Sequence, residues 1–142
     1  MSVVTSMDRR SLKTIGPLVV WTFFVWTSRI RNVFSDDGLD AFDRTWRTGV
    51  AVVFIGFSVA MGVALWRSRR DGLGAGAARL LAVFASWTVA FWVVRGGGIL
   101  LDGNHDAGFK AIHTVLAVFS IGLAALALRG RTGTRTPVGS AA

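Results

Sequence analysis

Hydrophobic positions along this chain gather into four blocks that are separated by short charged segments. The uncharged runs have 15, 19, 15 and 18 residues: 14–28, 48–66, 80–94 and 111–128, the last with His113 counted as neutral. A helix that crosses the hydrocarbon core needs roughly 20 residues. The second and fourth runs are long enough alone, and the first and third reach that length only if their helices continue past Arg29 and Arg95, where apolar residues resume. We therefore predict transmembrane helices near 14–34, 47–67, 78–101 and 109–128.

A soluble four-helix bundle is the main alternative to this all-α membrane fold. Helices of a soluble bundle present a polar face to water, and these runs have none. Outer-membrane strands would alternate apolar and polar residues, which these runs do not. The predicted organisation is a cytoplasmic N-terminal segment (1–13), a first transmembrane hairpin (14–70), a cytoplasmic loop (71–77), a second hairpin (78–129) and a disordered cytoplasmic tail (130–142).

The charges divide unequally between the two predicted faces of the membrane. The N-terminus, the middle loop and the C-terminus together hold ten basic and two acidic residues, a net charge of +8. The two other loops and their helix ends hold six of each sign. The positive-inside rule then predicts a bacterial plasma-membrane protein with both termini in the cytoplasm. Because lipid contact explains the basic face, no nucleic-acid partner is expected. The N-terminal basic and apolar stretch lacks a small-x-small cleavage site, which predicts an uncleaved first helix.

An internal repeat organises the chain. Trp21-Thr22-x-x-x-Trp26-x-x-Arg29 recurs 66 residues later as Trp87-Thr88-x-x-x-Trp92-x-x-Arg95. The ungapped alignment of 21–56 with 87–122 gives 12 identities in 36 positions, and two of them are tryptophans and one is an arginine at fixed spacing. We predict two tandem copies of one helical hairpin. Both copies begin and end inside, so an axis along the membrane normal would relate them in a pseudo-twofold four-helix bundle.

Small residues and tryptophans suggest how the helices pack. Three rows of small residues predict close helix approach: Gly56, Ala60 and Ala64; Ala82, Ser86 and Ala90; Ala117, Ser120 and Ala124. Trp26, Trp92 and Trp46 are predicted to form an aromatic belt at the outer interface, with Trp66 at the inner one. The deeper Trp21 and Trp87 are expected between helices. Gly96-Gly97-Gly98 predicts either a flexible helix end or a local unwinding where a ligand approaches.

Arg29 and Arg95 are the first candidate functional residues. Each lies five or six residues before the outer end of its predicted helix, roughly 8 Å below it at 1.5 Å per residue. A charge inside a membrane helix is costly, and it marks a functional site unless it is paired or snorkels to the headgroups. Two aspartates that match across the repeat follow each arginine in the next loop, so bracing of each hairpin by Arg–Asp pairs is the structural alternative.

The two histidines complete the set of candidate residues. A b-type haem needs two ligands that face each other, whereas His105 lies in a loop and His113 begins the last helix. Ligand spacing for a metal is also missing, so neither a cofactor nor a metal is expected. His113 is predicted at the mouth of the bundle. The predicted polar cluster, either a ligand site or a structural one, is Arg29, Asp36, Asp40, Arg47, Arg95, Asp102, His105, Asp106 and His113.

Missing residue types narrow the function. The chain has no cysteine and no glutamate, and no nucleophile–base pair is evident, so we expect no enzyme. Small proton-coupled multidrug exporters have similar length, but they depend on a carboxylate inside the first helix. In this chain no acidic residue lies within any of the four hydrophobic segments.

Two segments carry a resemblance: Trp26-Thr27-Ser28-Arg29-Ile30-Arg31-Asn32 and Gly108-Phe109-Lys110-Ala111-Ile112-His113-Thr114-Val115-Leu116-Ala117. With the overall pattern of residues 17–128, they resemble small four-helix integral membrane proteins of high-GC Gram-positive bacteria. This resemblance implies the fold and carries no activity over. The first expectation is thus a non-enzymatic accessory or structural membrane protein, with the lipid bilayer, a second copy or another membrane protein as its partner. The alternative is a small transporter or ligand-binding protein with an outer-facing polar vestibule.

Overall fold

A computed structural model describes the backbone of residues 2–132 and the side chains of 11–70 and 72–130. It contains four helices: α1 (Ser2–Ser35), α2 (Ala41–Asp71), α3 (Ala75–Leu101) and α4 (Ala107–Thr132). Each helix contains its predicted segment and extends beyond it. The middle loop shrinks from the predicted 71–77 to 72–74, and helix covers most of the predicted N-terminal segment and residues 130–132 of the predicted tail. Positions 133–142 of that tail lie outside the described residues.

Tight connections hold the helices antiparallel. Gly72 has φ 77°, a left-handed conformation that favours glycine, and its N–H donates to the Ser68 carbonyl at the end of α2. The α1–α2 loop (36–40) and the α3–α4 loop (102–106) lie together at the opposite end of the bundle, which we call the two-loop end.

Aspartates close the α1–α2 loop. The Asp36 carboxylate accepts from the Gly38 N–H at 3.0 Å, and the Asp40 carboxylate caps α2 by accepting from the Asp43 N–H at 2.7 Å. The Arg44 guanidinium then donates back to the Asp36 carbonyl at 3.0 Å. Short polar side chains that satisfy free backbone N–H groups in this way begin a helix and fix the turn before it.

The α3–α4 loop repeats this arrangement with the same types of bond. The Asp102 carboxylate accepts from the Asn104 N–H at 2.9 Å, and the Asp106 carboxylate accepts from the Phe109 N–H at 2.7 Å. The Lys110 ammonium donates to the Leu100 carbonyl at 3.3 Å. Asp102, Asp106 and Lys110 each lie 66 residues after Asp36, Asp40 and Arg44 in turn.

The helices form a ring in which each contacts two neighbours. α1 packs against α2 and α4, α3 packs against α4 and α2, and α2 and α3 contact each other least. Buried positions recur every three or four residues, the spacing of a coiled-coil-like seam. They are Ala51, Phe54, Ser58, Met61, Leu65 and Ser68 in α2, and His113, Ala117, Ser120, Ala124 and Ala127 in α4.

Within the part of the chain that the structure describes, three helices are long and apolar enough to cross a membrane: α2 over Ala41–Arg70, α3 over Ala75–Leu101 and α4 over Ala107–Gly130. α1 falls short by composition because Lys13, Arg29 and Arg31 bound or interrupt its apolar stretch. Large hydrophobic side chains cover the outside of the bundle. A soluble protein would bury such residues, whereas lipid would solvate them.

Two of the three predicted rows of small residues do not pack inside the bundle. Only Ala117, Ser120 and Ala124 of α4 are buried, and the rows of α2 and α3 are exposed or half-buried. The triple glycine neither unwinds α3 nor ends it, since the helix continues to Leu101. Gly96 instead brings α3 against α4, because a Cβ there would lie 3.4 Å from the Ala117 Cβ.

Candidate functional site: an arginine-lined cavity

A cavity of about 580 Å³ lies at the two-loop end and receives side chains from all four helices. This volume is in the range of pockets that hold organic ligands, and it is far larger than one inorganic ion needs. We call it the arginine cavity. Its lining residues are Trp26, Arg29, Asn32, Val33, Asp36, Leu39, Phe42, Asp43, Trp46, Arg47, Val50, Phe91, Trp92, Arg95, Phe109, Ile112, His113 and Leu116.

Packed aromatic rings form the deep side of the cavity. Trp26 stacks on Phe54 with centroids 4.2 Å apart, and Phe91 meets both rings edge-on at 5.2 and 5.1 Å. Trp92 lies 6.4 Å from Trp26, across the bundle. Aromatic pairs in these geometries each stabilise by about 0.5–1.5 kcal/mol beyond area burial, so the cavity has a rigid apolar floor.

The tryptophans of the repeated motif are placed differently from the prediction. Trp26 and Trp92 were expected in an interfacial belt, yet they are 5% and 2% exposed and belong to the core. Trp21 and Trp87 are the more peripheral pair. The Trp21 indole N–H donates to the Ser120 hydroxyl at 3.0 Å, and Trp87 is 40% exposed beside Phe54. The belt prediction failed because it used depth along the helix and ignored which side of the helix faces the bundle.

Arg29 makes its contact across the bundle. Its Nη2 donates to His113 Nε2 at 2.8 Å. His113 Nδ1 lies 2.9 Å from the Phe109 carbonyl oxygen, which can only accept. The proton must therefore sit on Nδ1, and the lone pair on Nε2 receives the Arg29 proton. His113 is neutral in this arrangement, so Arg29 gains an oriented partner without losing its positive charge.

Phe109 holds His113 in place on the surface of α4. The Phe109 and His113 rings lie 4.0 Å apart in a tilted contact, and the His105 ring lies 4.4 Å from that of Phe109. Phe109 and His113 are spaced four apart in α4, so their side chains share one face of the helix. His113 is thus fixed by ring contact and by hydrogen bonds at both nitrogens, as a positioning residue for Arg29 requires.

Arg95 and Arg47 bring two more guanidinium groups to the cavity. Arg95 makes no hydrogen bond or ion pair with any residue among 11–130 whose side chain is described, and it is exposed. Arg47 Nη2 lies 3.7 Å from Asp43 Oδ2, a long pair in which both side chains are about half exposed. Such pairs contribute little, at about 0–1 kcal/mol. Arg29 repels both other arginines, so the cavity concentrates positive charge.

The charges that line the cavity do not balance. Three arginines face the two carboxylates of Asp36 and Asp43, a net charge of +1 with His113 neutral. Arg29 and Arg95 have no carboxylate partner among the described residues. The predicted pairing of each arginine with the aspartates of its own loop is therefore not observed. Guanidinium groups bind oxyanions through paired N–H donors, which makes this arrangement suited to an anion.

The other predicted polar residues lie outside the cavity. Asp40 and Asp106 cap α2 and α4, and Asp102 closes the α3–α4 turn. The Asn104 N–H bonded to the Asp102 carboxylate, together with nearby His105, holds the pKa of that carboxyl below its usual value. His105 Nδ1 lies 3.1 Å from Asp102 Oδ2. Four of the nine predicted residues therefore shape the loops, while Arg29, Asp36, Arg47, Arg95 and His113 line the cavity.

Several lining residues were not predicted. Asp43 was detectable, because it lies four residues before Arg47 and that spacing pairs opposite charges on a helix. The same kind of signal was available for two other lining residues. Asn32 lies one helical turn after Arg29, and Phe109 lies one turn before His113, so each shares a helix face with a predicted residue. Among the described residues, no three histidine or aspartate side chains are grouped as a metal ion requires.

Comparisons with known proteins add nothing to this geometry: no protein-family model matches the chain, and neither does any curated protein or any solved structure. The chemistry of the cavity is therefore the basis for a functional proposal.

Proposed function

We propose that this protein is a non-enzymatic membrane protein that binds an anionic ligand in the arginine cavity. The observation that carries the proposal is the convergence of Arg29, Arg47 and Arg95, from three different helices, on one cavity with too few carboxylates to neutralise them. Arg29 is half-buried, and a charge withdrawn from water is costly unless it is paired. A bound oxyanion would supply the missing charge and accept the free guanidinium protons.

The neutral state of His113 supports ligand binding over internal bracing. A carboxylate at that position would satisfy Arg29 and close the site. A neutral imidazole orients the guanidinium through one N–H and leaves the remaining donors and the whole charge for a ligand. Preorganisation of this kind raises affinity because the side chain loses little freedom on binding.

The membrane placement is part of the same proposal. The protein spans the bacterial plasma membrane four times, with α1 as the fourth spanning helix and the two-loop end outside. The exposed apolar faces of all four helices and the +8 charge difference between the two ends support this placement. In that setting Lys13 snorkels to the inner headgroups, while Arg29 and Arg31 lie near the outer ones.

The repeat is likewise proposed as the origin of the bundle. The matching hydrogen bonds of the two outer loops support it, and so do the buried positions of the helices. Thr22 and Thr88 are both buried, and so are Trp26 and Trp92. In the second helices of the two hairpins, Phe54 corresponds to Ser120, and each contacts the tryptophan of a neighbouring helix. The two contacts between the hairpins, α1 with α4 and α2 with α3, would then be equivalent in origin. The α2–α3 contact is the less extensive of the two.

Thermal unfolding of the purified full-length chain in neutral detergent tests anion binding. The probes are inorganic phosphate, sulfate and micelles that contain phosphatidylglycerol, all at constant ionic strength. Arg95→Gln removes one unpaired guanidinium, and Arg79→Gln removes an exposed arginine at the other end of the bundle. A ligand at 100 times its Kd stabilises by about 2.7 kcal/mol. We expect at least one probe to raise the Tm of the wild type and of Arg79→Gln, and to raise that of Arg95→Gln much less.

Equal responses of wild type and Arg95→Gln to every probe would contradict the proposal. A response that Arg79→Gln loses equally would also contradict it, because general charge screening would then explain the effect.

A second candidate function is that of an accessory component that associates with another copy of itself. The small residues Gly56, Ala60 and Ala64 of α2 favour it, because the first two are exposed and the third is half-buried. In membranes such rows allow helices to approach closely. This candidate does not require the arginine cavity and predicts a different experiment.

Native mass measurement in lipid nanodiscs distinguishes this candidate. Ala60→Phe would block close approach, and Val59→Phe enlarges an exposed neighbour that is outside the row. The candidate predicts a dimer in the wild type and in Val59→Phe, and a monomer in Ala60→Phe. A wild-type monomer at every protein concentration would refute it.

A further inference from the structure

We propose that the ligand of the arginine cavity is an anionic phospholipid, with its phosphate at Arg29 and Arg95 and an acyl chain leaving between α2 and α3. This inference rests on the proposed function and names its ligand class. It is carried by the order of polar and apolar side chains along the cavity and by the exposed aromatic side chains on one flank.

The cavity is layered along the bundle axis. Asp36 lies in the loop at the mouth. Arg29 and Arg95 lie one to two turns before the outer ends of their helices, and Trp26 and Trp92 lie three residues deeper, about 4.5 Å at 1.5 Å per residue. A leaflet has the same order, with charged headgroups outside acyl chains. A lipid can therefore enter the cavity without changing its orientation in the outer leaflet.

The cavity also has an apolar flank. Phe42 and Trp46 of α2 line it, and yet they are 77% and 64% exposed. Trp46 lies eleven residues before Phe57, about three helical turns, so the two share the face of α2 on which Phe57 stacks against Phe84 of α3. α3 is the neighbour with which α2 has least contact. Phe91 lines the facing side of that gap from α3. Large exposed apolar side chains contribute nothing to the binding of a water-soluble anion, whereas they can pack against the acyl chain of a bound lipid.

The head chemistry follows from the arginines. Planar guanidinium groups match phosphate oxygens with paired donors, and two of them carry no carboxylate partner. The volume of about 580 Å³ accommodates a phosphate with its glycerol and the first part of a chain, while a lone oxyanion would leave most of it empty.

The test compares a lipid with its own headgroup. The full-length chain in neutral detergent is titrated with phosphatidylglycerol, with phosphatidylcholine of the same acyl chains, and with glycerophosphoglycerol, the deacylated headgroup. Tryptophan fluorescence and thermal shift report binding. The variants are Arg95→Gln, Trp46→Ala and the control Trp66→Ala, which removes an equally exposed tryptophan from the other end of α2.

We expect phosphatidylglycerol to bind at least about tenfold more tightly than the other two ligands, a difference of about 1.4 kcal/mol. Arg95→Gln should weaken both phosphatidylglycerol and glycerophosphoglycerol. Trp46→Ala should weaken only the lipid, and Trp66→Ala should change neither affinity.

Three results would overturn this inference. Glycerophosphoglycerol bound as tightly as the lipid, and unaffected by Trp46→Ala, would make the ligand a soluble anion and leave the proposed function intact. Phosphatidylcholine bound as tightly as phosphatidylglycerol would show contact with acyl chains without recognition of the headgroup. Binding that Arg95→Gln leaves unchanged for every ligand would remove the proposed function as well.

Discussion

Arg29 and His113 are 84 residues apart in the chain, and the Arg29 guanidinium donates to His113 Nε2 at 2.8 Å. This bond joins the first helix to the last and sets the direction of a charged group inside an apolar bundle. His113 Nδ1 donates its proton to the Phe109 carbonyl, so the imidazole is neutral and does not offset the positive charge of Arg29. The Arg29–His113 pair therefore links two helices of the bundle and also orients a guanidinium group of the proposed anion site.

Removal of the His113 side chain tests the structural part of this pair. His113→Ala leaves the half-buried guanidinium of Arg29 without its acceptor, and a buried group that loses its partner costs about 1–3 kcal/mol. Val115→Ala, a control that truncates an exposed side chain on the same helix, should stay within about 0.5 kcal/mol of the wild type. Denaturant unfolding in detergent measures both. Equal losses in the two variants would show that the Arg29–His113 bond contributes nothing.

Gly96 tests the close contact of α3 with α4. Its missing Cβ would lie 3.4 Å from the Ala117 Cβ, while nothing lies within 4 Å of the corresponding position at Gly98. Gly96→Leu should therefore force the helices apart and destabilise by about 1–3 kcal/mol. Gly98→Leu should be neutral or should stabilise by up to about 1 kcal/mol, since leucine favours helix more than glycine does. Thermal unfolding compares the two, and a tolerated leucine at 96 would contradict the packing.

The two helix caps should make equal contributions. Asp40→Ala and Asp106→Ala each remove a carboxylate that accepts from a backbone N–H at 2.7 Å. Loss of such a cap costs about 0.5–2 kcal/mol. Asp37→Ala, an exposed position in the same loop as Asp40, serves as the control and should change stability little. A large loss at one cap and none at the other would argue against equivalent hairpins.

Membrane topology can be measured cleanly because the chain has no native cysteine. Single cysteines at Asp37 and Asn104 should react with an impermeant maleimide added to intact cells. A cysteine at Gly74, in the α2–α3 loop, should react only after the membrane is permeabilised. The reverse labelling pattern would show the opposite orientation in the membrane, with the two-loop end in the cytoplasm. Labelling of Asp37 and Gly74 from the same side would show that α2 does not span the membrane.

The helices could be predicted from the sequence, and their interior faces could not. Four apolar runs are a local signal, so the predicted segments fall inside the observed helices. In a soluble helix, a polar face shows which side is buried. A helix that faces lipid lacks this contrast. The rows beginning at Gly56 and Ala82 were therefore assigned to the wrong face, and Trp26 was placed at the surface.

The polar partners were equally difficult to predict. Proximity in sequence suggests that Arg29 pairs with the aspartates of its own hairpin. The acceptor of Arg29 lies instead on α4, in the other hairpin. Sequence spacing carries no information on which neighbour in a ring of four helices a side chain meets. Asp40 and Asp106 were grouped with the arginines by charge, although backbone N–H groups one turn later already use their oxygens.

Anomalous diffraction from crystals soaked in selenate, a tetrahedral oxyanion, tests anion binding in the cavity most directly. We expect a peak between Arg29 and Arg95, with selenate oxygens about 2.7–2.9 Å from guanidinium nitrogens, as charge-assisted hydrogen bonds require. The peak should disappear in Arg95→Gln and remain in Arg79→Gln. Selenate found only at the basic end near Arg67 and Arg70, with the arginine cavity empty, would contradict the account.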